Sequence, residues 1–269
     1  MEQEKNLASS LLEAAAQHDR RVIAGALGLV TLLAWVWLVS GGGIDMPSFM
    51  DMSMVMPMEW TPLYALVLFV MWWVMMIAMM LPSAAPMILL FALVNRRSRA
   101  LGAPYVPTAV FASAYLVAWG GFSLAATLVQ WWLEQAGWQT MGMASANRWF
   151  SSVLLIAAGL YQLSPLKHAC LRHCRGPIEF ITRHWRPGYA GALRMGFVHG
   201  AYCVGCCWVV MGLLFYGGVM NLYWIVCLAV LVLLEKLLPA GTYFVSISGV
   251  GFLAWGAWLL TNALTIETT

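Results

Sequence analysis

Apolar runs recur along this chain, and seven of them are close to the length needed to cross a bilayer. They cover roughly 22–40, 62–81 (with a continuation to 94), 106–132, 149–165, 193–216, 221–238 and 242–264. A transmembrane helix needs about 20 mainly apolar residues. Lipid offers no partner to a bare backbone group, so runs of this length predict helices packed together. The alternating, roughly ten-residue pattern of an outer-membrane barrel is absent. The expected fold is all-α: a polytopic transmembrane helix bundle of about seven spans. Composition agrees, with 62% hydrophobic and 9% charged residues, against about 45–50% and about 25% in soluble domains.

Lys and Arg set the expected orientation. With the N-terminus cytoplasmic, Lys5, Arg20, Arg21, Arg96, Arg97, Arg99, Lys167, Arg172, Arg175, Arg183, Arg186, Arg194 and Lys236 all fall on the cytoplasmic side, and only Arg148 falls outside. The first run reads as a retained helix rather than a signal peptide. Its polar leader is about 20 residues long, and the run exceeds a typical h-region of about 7–15 residues. Residues 1–21 are then a cytoplasmic N-terminal segment, 22–40 the first span and 41–61 an extracytoplasmic loop. Residues 62–265 form a core of six spans with a basic cytoplasmic loop at 166–193. The net charge of +3 fits loops beside anionic lipid. No basic-aromatic surface is present, so nucleic acid is not an expected partner.

The stretch "HGAYCVGCCW" (199–208) lies inside the fifth run. On a helix, relative to His199, Cys203 sits at about +40°, Cys206 at about −20° and Cys207 at about +80°. These four form one stripe. It is about 12 Å long, so a single ion cannot take all four from one straight helix, and another helix would supply a ligand. Thiolate and imidazole suit Cu(I), with zinc or iron as further candidates. A second cluster, "HACLRHC" (168–174), places Cys170, His173 and Cys174 on one face at the membrane surface. The plain alternatives are buried cysteines acting as small hydrophobes and a basic amphipathic turn.

Methionine is the third soft donor, with 18 in the chain. Met52, Met54 and Met56 alternate along the outer loop, and Met71, Met75 and Met79 share a face of the second span. Thioethers suit Cu(I), although methionine in a helix commonly just fills gaps. Pro82 and Pro86 follow, and proline inside a helix removes a backbone hydrogen bond and kinks it. The segment 62–94 therefore reads as a kinked, tilted or overlong helix. Glu235 stands near the inner end of the sixth span, and intramembrane acids are paired or functional. Its neighbour Lys236 points elsewhere on a helix, so no partner for Glu235 can be read. No Walker loop or Gly-x-Ser-x-Gly elbow is present.

Four segments, "MMLPSAAPMI", "LYQLSPLKHACLRHC", "HGAYCVGCCW" and "LLEKLLPAG", together resemble a bacterial family of predicted metal-binding integral membrane proteins, a domain of unknown function. The resemblance spans roughly residues 60–265. It implies a multi-pass protein of the bacterial inner (cytoplasmic) membrane and a bound metal. It also admits a small companion protein, and it supplies no catalytic residue. The leading expectation is membrane handling or transport of a soft transition metal, Cu(I) first. On this reading the Met loop collects the ion, Met71, Met75 and Met79 pass it inward, and the two Cys/His clusters receive it. The alternatives are a thiol- or metal-dependent redox enzyme subunit and a structural anchor subunit. Whether the chain is an enzyme, and whether it oligomerises, stay open at this stage.

Overall fold

The computed structural model describes residues 2–41, 60–102, 104, 106–138, 145 and 147–267. Within them the chain is helical, in the order α1 (Glu2–Val39), α2 (Pro62–Ala100), α3 (Thr108–Gln135), α4 (Arg148–Leu163), α5 (Pro165–Arg175), α6 (Pro177–His184), α7 (Gly188–Gly212), α8 (Leu214–Gly217), α9 (Leu222–Leu237) and α10 (Gly241–Glu267).

Several starts are written locally. Thr61 accepts a hydrogen bond from the Tyr64 amide at 3.2 Å, and Pro62 follows at the first helical position. Ser164 accepts from the Lys167 amide at 3.2 Å, with Pro165 next. Asn147 and Asn221 cap α4 and α9. An oxygen side chain at the cap takes an orphan amide, and proline at the next position is already set to helical φ. A residue before proline also avoids the helical region. Ser164 accordingly sits at ψ 146°, and the chain bends by 63° between α4 and α5.

Among the described residues, five helical stretches are long and apolar enough to cross a membrane: Arg20–Val39, Pro62–Ala100, Thr108–Gln135, Gly188–Gly217 and Gly241–Thr265. The bent pair α4–α5 makes a sixth if taken as one span. The sequence-based expectation of seven is larger because 149–165 and 221–238 read as whole spans. In the structure α4 and α9 are each 16 residues long. The Ser164-Pro165 corner ends α4, and Pro239 lies two residues past the end of α9. The segment 62–94 resolves into one continuous α-helix that runs through both Pro82 and Pro86. The N-terminal segment and the first span are likewise one helix, α1.

α2, α3, α7 and α9 form the centre, α4 packs along α10, and α1 lies against α2. Apolar side chains cover the outside as well as the inside: Leu32, Val36, Leu128, Leu160 and Ile247 are exposed. A polar ladder ties α2 to α3. Trp72 Nε1 donates to Gln130 Oε1 at 2.7 Å, Gln130 Nε2 to Glu134 Oε1 at 3.1 Å, and Trp60 Nε1 to Glu134 Oε2 at 2.8 Å. α3 and α7 meet at Gly200. A Cβ there would stand 2.7 Å from Ala118 Cβ and 3.0 Å from the Tyr115 carbonyl, so only glycine admits this approach.

Candidate metal centre

The stripe read on α7 faces inward. Cys203, Cys206 and Cys207 are all buried, as is His199. Cys206 Sγ lies 3.3 Å from Cys207 Sγ and donates to the Cys203 carbonyl at 3.1 Å. Opposite stands α5. Its Cys174 Sγ is 3.7 Å from Cys206 Sγ and also interacts with Cys203. The two cysteine clusters of the sequence therefore meet at Cys174. Of the rest of the second cluster, Cys170 lies alongside and His173 turns away. Cys170 packs its sulfur against Gly205, 3.1 Å from where a Cβ would lie. His173 stacks on Tyr202 with ring centroids 4.3 Å apart, and its Nδ1 is 2.9 Å from the Ala169 carbonyl. All six cysteines are free thiols.

Residues outside the expected donor set complete the surroundings of Cys203. Lys236 of α9 turns into the core and donates to Cys203 Sγ at 2.9 Å and to Ser83 Oγ at 3.2 Å, and its Nζ lies 3.9 Å from Met80 Sδ. The Tyr115 hydroxyl is 3.1 Å from Cys203 Sγ and donates to the Met80 carbonyl at 3.3 Å. The short α3–α7 distance at Gly200 is what brings Tyr115 this close. The only sequence signal for Lys236 was its place beside Glu235, which on a helix aims the two side chains about 100° apart.

Glu235 points the other way and finds the partner the sequence could not name. Lys167 Nζ donates to Glu235 Oε2 at 2.7 Å, with side-chain exposures of 0% and 1%. Lys167 also donates to Gln162 Oε1. Gln162 Nε2 donates to Glu235 Oε1 and to Ser248 Oγ, both at 2.6 Å. At the far end of α5, Arg175 donates to the carbonyls of Leu238 and Pro239 at 2.6 and 2.9 Å. These carbonyls lie just past the C-terminus of α9, where a cation is favoured. α5 is thus pinned to α9 at both ends, with Cys174 held over α7 between them.

The other expected donors lie as follows. Met71, Met75 and Met79 are buried in the core. Met52, Met54 and Met56 lie outside the described residues. His199 is ringed by Phe111, Tyr115 and Phe180, with ring centroids 5.3–6.3 Å away, and its buried Nδ1 has no hydrogen-bond partner.

Among the described residues, no group of three or more His, Cys, Asp and Glu side chains is arranged so as to hold a metal ion. The sulfurs form a chain linked through Cys206 rather than converging on one point. Their chemistry nevertheless fits a soft ion: four thiols, a thioether and a buried imidazole nitrogen without a partner. With metal–sulfur bonds of about 2.3 Å, two sulfurs on a tetrahedral ion stand about 3.8 Å apart. The Cys174–Cys206 separation is 3.7 Å, close to that spacing, and the Cys206–Cys207 separation of 3.3 Å is shorter.

Helices of membrane-crossing length around a closed centre of reduced thiols define the class: an all-helical protein with a buried soft-donor site. The chain belongs to the PpoB2 family, described as a copper chaperone, whose family model matches residues 69–259. That match includes Met80, Tyr115, Cys174, the α7 cysteines and Lys236, and leaves out α1 and the Met-rich loop. No curated protein and no solved structure matches the chain.

Proposed function

We propose that this chain is a multi-pass protein of the bacterial cytoplasmic membrane that takes Cu(I) as cargo at its buried thiols and hands it to a client protein. The observation that carries the reading is the meeting of Cys174 from α5 with Cys206 and Cys207 from α7. A cysteine from a second helix supplies what one straight helix cannot. Cys174, Cys206 and Cys207 are the thiol ligands on this reading, and His199, two turns earlier on α7, stands too far along the helix to join them.

Membrane insertion is supported by the five apolar helices and by apolar residues on the outer surface. Seven crossings follow if α4–α5 and α9 also span, with proline corners near the inner side. The thirteen-to-one distribution of Lys and Arg supports a cytoplasmic N-terminus. The centre then lies toward the cytoplasmic side, where α5 and the end of α9 sit. The Met-rich loop is the outer collector, and the Met71, Met75 and Met79 row is its inward path. Release of the ion requires a change at α5, the shortest element to supply a ligand.

The test is copper content of the full chain in detergent, loaded with Cu(I) under reducing conditions, beside Cys174→Ser and Cys206→Ser. The reading expects near-stoichiometric copper in the wild type and loss in either variant. Equal copper in all three would refute the site, and no copper in the wild type would refute the function.

A further inference from the structure

The Lys236 ammonium is paired with sulfur rather than with a carboxylate. It is buried, and its neighbours are Cys203 Sγ at 2.9 Å, Ser83 Oγ at 3.2 Å and Met80 Sδ at 3.9 Å. Cys203, as the thiolate, is the one of these neighbours that can carry the opposite charge. The nearest carboxylate in sequence, Glu235, is held by Lys167 on the other side of α9. A thioether is a weak acceptor for N–H but a good donor to a soft metal. A soft monovalent ion would find in the same place a thiolate and a thioether.

We infer that Met80 and Cys203 form a second soft-metal position, distinct from the Cys174–Cys206–Cys207 set, and that the Lys236 ammonium is its resident placeholder, displaced when Cu(I) or Ag(I) enters. Three observations support this beyond the donor types. First, Met80 is already aimed at the position, with its backbone fixed by the Tyr115 and Ser83 hydroxyls, which both donate to its carbonyl, at 3.3 and 2.8 Å. Second, Lys236 is the penultimate residue of α9, so its flexible stem can carry the ammonium back toward the helix end. Third, with Cys203 the thiolate in both states, the exchange replaces the ammonium charge beside it by the charge of the ion, and the lysine carries its own charge out toward the helix end. A divalent ion would leave an extra charge in a low-dielectric interior, where it is costly. The position thus discriminates for monovalent ions by charge as well as by softness. Met76, also fully buried one turn before Met80, extends the thioether row toward it.

The Cu(I) reading of the thiol set motivates this site, but its test is separable. Ag(I), which needs no reductant, is titrated into the full chain in detergent by calorimetry, for wild type, Met80→Leu, Lys236→Met and Cys206→Ser. Met80→Leu and Lys236→Met are close in volume, and elution as the wild-type species checks their folding. Wild type is expected to bind two ions per chain. Met80→Leu should lose the weaker one and keep the other, whereas Cys206→Ser should show the reverse loss. Lys236→Met should keep both and bind the weaker ion more tightly, because the competitor is gone. Zn(II) should not displace Ag(I) from the Met80 position. Weaker binding in Lys236→Met would overturn the placeholder role and make the lysine a fixed counter-ion. Unchanged stoichiometry and affinity in Met80→Leu would overturn the site. Retention of the Met80 ion with loss of the thiol-set ion in wild type would instead count against the proposed function alone, and no ion in the wild type would sink both.

Discussion

Cys174 Sγ of α5 lies 3.7 Å from Cys206 Sγ of α7, although 32 residues separate them in the chain. This contact joins a short helix to a long one, and it depends on the clamp that holds α5 against α9. Its consequences can be measured separately.

The first concerns the thiols themselves. A mild thiol oxidant such as a diazene dicarboxamide accepts the two hydrogens of a thiol pair and leaves a disulfide. Sulfurs this close should yield a Cys174–Cys206 bond within one chain. Peptide mapping after oxidation should show that crosslink in the wild type, and copper loading should fall together with its yield. Failure to find it under conditions that oxidise the more exposed Cys170 and Cys227 would contradict the observed packing.

Next comes the buried ion pair. Lys167 and Glu235 are 2.7 Å apart with essentially no exposure. Removing one partner leaves a buried charge, a loss of about 3–5 kcal/mol. Lys167→Met should therefore lower the thermal midpoint strongly. The double variant Lys167→Met/Glu235→Leu should recover much of that stability while still loosening α5. Copper affinity should remain reduced in the double variant, because Cys174 is no longer held in register. Full recovery of both stability and copper would show the pair to be structural only.

His199 allows a sign-discriminating experiment. Its Nδ1 is buried and unpartnered, and an unsatisfied buried polar atom costs about 1–3 kcal/mol. His199→Leu should raise the thermal midpoint of the metal-free protein, or leave it unchanged, and should leave Cu(I) at the Cys174–Cys206–Cys207 set in place. Lower stability would make the histidine a packing residue, and weaker copper binding would make it a ligand.

How much of this could be read in advance depends on the range of the forces involved. The helices themselves were legible because their causes are local. Apolar runs, the Thr61-Pro62 and Ser164-Pro165 starts and the 3.6-residue period all act within a few residues. The common face of Cys203, Cys206 and Cys207 follows from that period alone, and all three are buried as one side of α7. Span count was less secure. Helix ends at Leu163 and Leu237 depend on corners that interrupt otherwise apolar runs.

The sequence also could not choose between Cys170 and Cys174, which share a face of α5. That choice rests on how α5 crosses α7, and the crossing is set by Lys167 on Glu235 and Arg175 on the α9 carbonyls. Nor could it aim Lys236. Adjacent residues on α9 diverge, and only the placement of α2 and α7 on one side and α4, α5 and α10 on the other tells which charge meets a carboxylate partner and which meets sulfur. Local periodicity therefore accounts for the helices and for the thiol stripe. The centre itself comes from contacts among α2, α3, α5, α7 and α9. Those contacts span up to 156 residues of chain, as between Met80 and Lys236, and no local pattern encodes a distance of that kind.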